Sequence, residues 1–229
     1  MEVARRSLPL LAAAASAACV VFLLGLHLDS FWMRLPCKPW PHLALIAWVL
    51  SEASGAYARR IAAAIAVCMV ADFLLEFRQT LFLYGMATFF VAQLTLASAF
   101  VLRSREWRPA MALPFAVWVG LLFAVVSPGL GSMRAPVACY TGAIGLMLWR
   151  AAACVEGPAA GSRGDASTWI ALAGAVVFAA SDSVIALDRF HAPIPGARFL
   201  VMITYWIALA LLAASAVRTR GEVARTKGL

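Results

Sequence analysis

Residues 8–26 contain no charged side chain, and apolar runs of similar kind recur along the whole chain. A helix needs roughly 20 predominantly apolar residues to cross the hydrocarbon core of a bilayer. Inside lipid, every backbone N–H and C=O must be paired within the protein. The runs therefore read as transmembrane α-helices. Composition agrees: 64% of residues are hydrophobic, 13% are charged, and the mean hydropathy is +0.88. That leaves too little polar surface to cover a water-soluble globule. A chain of 229 residues holds about eight spans with short loops. The expected architecture is an all-α polytopic membrane bundle, with residues 1–229 forming a single integral-membrane domain.

Eight segments are read, at about 8–26, 39–50, 60–77, 81–102, 110–126, 135–149, 168–187 and 197–217. The second is short and is expected to extend towards Ala56. Arg5 and Arg6 ahead of the first run also fit a cleaved signal peptide, but the run is long enough to span and is taken as a helix. SPG at 127–129 breaks the chain after segment five, and the Gly/Pro/Ser-rich stretch 150–167 reads as the longest loop. Gly142 and Gly145, and Gly174 with Ala175, are expected to let helices approach closely.

Lys and Arg are unevenly divided between the two ends of this arrangement. Thirteen fall on the side of the termini and of the loops at Arg59/Arg60, Arg103–Arg108 and Arg150/Arg163; six fall on the other. The positive-inside rule places both termini in the cytoplasm. It also accounts for the net charge of +8 without nucleic acid, for which no aromatic-plus-basic motif appears. The five cysteines form no CxxC pair and read as small buried hydrophobes rather than a disulfide framework.

The costliest residues are Asp72, in AVCMVADFLLEF, and Asp182, in GAVVFAASDSVIALDRF. Intramembrane carboxyls usually face a cavity or a partner. On this topology both lie in the outer halves of outward-running helices, at matched depth. Two such groups can act together as acid and base; the plainer reading pairs each with Lys or Arg. Ser181 and Ser183 can bond Asp182 or the backbone. Lys38, between two prolines near the same end, suits a phosphate or lipid headgroup, whereas Arg150 reads as a cytoplasmic-side anchor. Gln93, mid-helix, can bond a neighbouring helix or orient an Asp. His27, His42 and His191 fall near the outer face, and with an Asp they make zinc an alternative, although no HxxxH spacing occurs. A transporter or lipid-binding protein without catalysis is the other alternative.

Four stretches carry a resemblance: KPW at 38–40, ADFLLEF with FLYGMATFFVAQ at 71–93, PVACYTGAIGLMLWR at 136–150, and VFAASDSVIALDRFHAPIPGARFLVMITYW at 177–206. The chain resembles the lysoplasmalogenase (YhhN-like) family of multi-pass membrane proteins. The resemblance implies an eight-helix hydrolase that cleaves the sn-1 vinyl ether of a lysophospholipid, without metal or organic cofactor. Asp72 and Asp182 are then the catalytic pair, and Lys38, Tyr140, Gln93 and Ser181 the substrate-binding residues. A eukaryotic source implies the endoplasmic reticulum membrane, a bacterial one the inner membrane. The chain departs from the family pattern at Ala71, where Gly is usual, at Gln93, where His is usual, and at Trp206 and Leu209 in a last-helix motif.

Overall fold

The computed structural model describes residues 2–77, 80–156 and 164–227, with side chains described for those of them between 7 and 219. The middle of the expected long loop (157–163), Arg78 and Arg163 of the charge count, and the side chains of Arg5, Arg6, Arg220, Arg225 and Lys227 lie outside the described residues.

Each of the eight expected segments returns as a helix, and the described residues contain no strand. They are α1 (Glu2–His27), α3 (Pro39–Glu52), α4 (Ala56–Glu76), α5 (Phe82–Arg103), α6 (Leu113–Val126), α7 (Arg134–Ala153), α8 (Ala166–Phe190) and α9 (Ala197–Lys227). A short helix, α2 (Phe31–Arg34), and a 3-10 turn (Leu35–Cys37) lead into α3. Several boundaries differ from expectation. α3 stops at Glu52 because Gly55, at φ +98°, turns the backbone in a conformation that suits glycine. α4 then begins at Ala56, which puts Arg59 and Arg60 inside a helix rather than in a loop. α8 begins at Ala166 because the Asp165 side chain accepts the Thr168 N–H at 2.9 Å, an N-cap. The backbone of α9 continues as helix through the basic tail to Lys227.

Among the described residues, five helical stretches are long and apolar enough to cross a membrane: Ser7–His27, Phe82–Arg103, Pro109–Gly129, Ala166–Phe190 and Ala197–Thr219. α3, at 14 residues, rises only about 21 Å. α4 carries Arg59, Arg60, Asp72 and Glu76, and α7 begins at Arg134 and has Arg150 in its last turn. α6 shows the lipid-facing pattern most plainly. Leu113, Val117, Leu121 and Val125, spaced four apart, are all exposed. A continuous apolar stripe of this kind suits acyl chains and not water. The chain is an integral membrane protein.

α8 packs along α9, and α4 along α5. Gly174 sets the first contact: a Cβ there would stand 3.0 Å from Leu212 Cγ and 3.1 Å from the Ala208 carbonyl oxygen. Gly145 faces Val119 of α6, but a Cβ at Gly142 would meet no atom within 4 Å; that position is exposed and makes no helix contact. The terminal-side loops are held by a polar clasp. Buried Arg150 donates to the carbonyls of Glu106 (2.9 Å) and Ser104, and Arg103 reaches Asp165 at 3.2 Å. Arg150 is thus an internal brace, not a surface anchor facing lipid headgroups.

Candidate active site

α4 and α8 finish at the end of the bundle opposite this clasp, and α5 and α9 begin there. Between them lies a cavity of about 510 Å³. At its buried end are Asp72 and Asp182, 4% and 8% exposed, with Tyr205 and Phe89. At its mouth are Glu76, Asp188, Arg189 and Arg198. The two carboxyls read from the sequence as a matched pair therefore line one space. Three rings from α5, α8 and α9 brace its buried end. Phe89, Phe178 and Tyr205 meet nearly edge-on, with centroids 5.4–6.1 Å apart, an arrangement aromatic quadrupoles favour.

Asp182 is held from α5 and α7. Its Oδ2 accepts the Tyr140 hydroxyl at 2.6 Å and the Gln93 amide N–H at 3.2 Å. Tyr140 does not line the main cavity. It lines a smaller, largely apolar one of about 50 Å³ that Asp182 also borders. Gln93 is fully buried and lines neither. Both residues touch Asp182 from behind instead of facing the main cavity. Ser181 does line the cavity, but its hydroxyl donates to the Val201 carbonyl at 3.0 Å, tying α8 to α9. Ser183 bonds back to the Ala179 carbonyl within its own helix.

Asp72 has a different partner. His42, fully buried on α3, donates Nδ1–H to the Lys38 carbonyl at 2.9 Å. A carbonyl can only accept, so the proton of the neutral ring sits on Nδ1. Nε2 is left as the acceptor nitrogen, 2.9 Å from the Tyr205 hydroxyl, which can donate to it, and 3.2 Å from Asp72 Oδ2. Oδ2 receives no well-aligned hydrogen bond despite that proximity. The arrangement puts an imidazole nitrogen, a phenol and a carboxyl within reach of one another.

Lys38 lines the cavity and is bound on two sides. Its ammonium donates to the Asp72 carbonyl at 2.7 Å and lies 3.2 Å from Glu76 Oε2. Glu76 also receives Arg34 Nε at 2.7 Å, and Arg198 stands 3.6 Å away. From sequence His42 figures only in the zinc alternative, and Tyr205, Arg34, Glu76 and Arg198 have no role in the site. Two signals were present. His42 follows Lys38 by four residues at the start of α3, and Glu76 follows Asp72 by four on α4; each spacing places both members on one helix face. The zinc alternative gains no support, since no three His, Cys, Asp or Glu side chains among the described residues converge as metal ligands.

Comparisons with known proteins bear on the same elements. The YhhN family profile matches residues 33–216, which take in every helix that lines the cavity except α1. Lysoplasmalogenase TMEM86A of Bos taurus is 35% identical over 218 residues, covering 90% of this chain and 88% of that protein. TMEM86A of Homo sapiens is 34% identical at the same coverage. Lysoplasmalogenase TMEM86B of Homo sapiens is 33% identical, covering 88% of this chain and 83% of its own length. No solved structure matches significantly. With a family profile over most of its length and relatives matched nearly end to end, the chain belongs to the YhhN family.

Proposed function

We propose that this protein is a membrane-embedded lysoplasmalogenase, hydrolysing the sn-1 vinyl ether of a lysoplasmenylethanolamine or lysoplasmenylcholine to a fatty aldehyde and the glycerophospho-alcohol. One observation carries the reading: Asp72 and Asp182 line a single cavity at the end of a bundle with a lipid-facing exterior. The name its relatives share, lysoplasmalogenase, supports it.

The reaction asks for one proton donor and one stabilised anion. Protonating the β carbon of the vinyl ether produces an oxocarbenium ion, water adds to its α carbon, and the hemiacetal collapses to aldehyde and alcohol. Asp72, with His42 Nε2 3.2 Å away as its neighbouring base, delivers the proton. Asp182, fixed by Tyr140 and Gln93, stays a carboxylate, stabilises the cation and orients the water. Tyr205 touches His42 and positions it. Lys38, Tyr140, Gln93 and Ser181 act on substrate mainly by holding these groups in place. The chemistry runs on carboxyls and water, with no cofactor drawn into any step.

The same reading makes residues 1–229 one membrane domain with both termini in the cytoplasm. It sits in the endoplasmic reticulum membrane of a eukaryote or the inner membrane of a bacterium. Its substrate reaches the cavity mouth from the lipid–water boundary. The test is aldehyde release from a lysoplasmalogen by purified protein in detergent. Turnover supports the reading, and its absence at saturating substrate, with folded protein, opposes it.

A further inference from the structure

Three cations meet one buried carboxylate at the cavity mouth. The Glu76 side chain is 2% exposed, and Arg34, Lys38 and Arg198 approach it at 2.7, 3.2 and 3.6 Å. Asp29, which is 90% exposed, also lies 3.3 Å from Arg34 and 4.0 Å from Arg198. The Asp29 end of both contacts is in solvent, which screens it. Arg34 and Lys38 are themselves buried, at 8% and 6% side-chain exposure, and buried cations favour an anion beside them. Arg198 differs from the two buried cations. It is one-third exposed, has the longest reach to Glu76, and lines the cavity.

Two further features add positive potential at the same place. α9 begins at Ala197, buried against the cavity, so the N-terminal end of a long helix points there. Across the mouth Arg189 stacks on the Phe82 ring, with its guanidinium 3.7 Å from the centroid. The acid beside it, Asp188, accepts the Ile194 N–H at 2.9 Å. The remaining carboxyls of the cavity, Asp72 and Asp182, are at its buried end.

We propose that Arg198, backed by Arg34 and Lys38 and faced by Arg189, is the recognition site for the phosphodiester of a lysophospholipid, fixing the lipid with its headgroup at the mouth. This rests on the hydrolase reading for its ligand class. Spacing supports the assignment. Glu76, which gathers the cations, follows Asp72 by four residues on α4, about 6 Å along the helix. That is comparable to the glycerol link between a phosphate and an sn-1 ether oxygen. A phosphate held at Arg198 therefore brings the ether oxygen to the level of the carboxyls.

The experiment compares binding of two uncleavable lipids, 1-alkyl-glycerophosphoethanolamine and 1-alkylglycerol of the same chain, to full-length protein in detergent. Arg198→Gln is expected to weaken the first by about tenfold to a hundredfold, the scale of one lost charge-assisted hydrogen bond, and to leave the second within about twofold. Arg198→Lys is expected to fall between wild type and Arg198→Gln. Equal loss for both lipids, or no loss for either, overturns the assignment. Inorganic phosphate is expected to displace the phospholipid only at millimolar levels; displacement at micromolar levels would make this a site for free phosphate and overturn the headgroup assignment. Binding is read without turnover, so a wild-type protein that binds with this selectivity but releases no aldehyde sinks the hydrolase reading and keeps the subsite.

Discussion

His42 Nε2 lies 3.2 Å from Asp72 Oδ2, while the opposite ring nitrogen is committed to the Lys38 carbonyl. The backbone at the start of α3 thus fixes which face of the imidazole meets the carboxyl. His42→Gln keeps an amide near Asp72 but removes the group that exchanges the proton. The expected result is a fall in kcat of about a hundredfold, the usual scale for a lost acid–base partner, with KM within about threefold and an altered kcat–pH profile. An unchanged profile would make the contact a packing feature alone.

Tyr140→Phe removes the shorter of the two hydrogen bonds to Asp182. A hydrogen bond to a charged group contributes about 1.5–3 kcal/mol, so kcat is expected to drop roughly 10- to 150-fold. Gln93→Leu removes the longer contact and should cost less. A larger effect for Gln93→Leu would reverse the ranking drawn from the two distances.

Gly174→Val places a branched side chain where Leu212 and the Ala208 carbonyl already stand at about Cβ contact distance. Overpacking of a helix–helix contact costs about 1–3 kcal/mol. Thermal unfolding in detergent should show a lower midpoint. Gly142→Ala, at an open position, should leave it unchanged.

Arg150→Ala breaks the clasp to the Glu106 and Ser104 carbonyls, at the end of the bundle away from the cavity. The expected outcome is a lower unfolding midpoint with kcat/KM of the remaining folded protein within about twofold, because distant sites act independently. A selective loss of kcat would tie the clasp to the site.

The helices were legible because lipid enforces one rule on the whole chain: apolar runs of spanning length. Their ends were less so. The early start of α4 hinges on Gly55, and the start of α8 on the Asp165 cap, both local details beneath a hydropathy signal. Asp72 and Asp182 stood out because carboxyls are costly in such runs, and their shared cavity follows from similar depth on α4 and α8. The partners were hidden for the opposite reason. His42 and Glu76 sit near helix ends, where polar residues are ordinary, and Tyr205 reads as a packing aromatic; only the packing of α3 and α9 against α4 brings His42 and Tyr205 to Asp72. Gln93 was read as able to orient an Asp, which is its contact; which Asp depended on the packing of α5 and α8.

The central claim is that the two carboxyls of one cavity carry the reaction. Its most direct measurement is aldehyde release from a lysoplasmalogen by wild type, Asp72→Asn, Asp182→Asn and the double variant, each first shown to be folded in detergent. Wild type is expected to turn over. Each single variant should lose at least about 10²-fold in kcat, and the double variant should be little worse than the poorer single one, because the two act as a unit. Aldehyde release by the double variant at the wild-type rate would contradict the account.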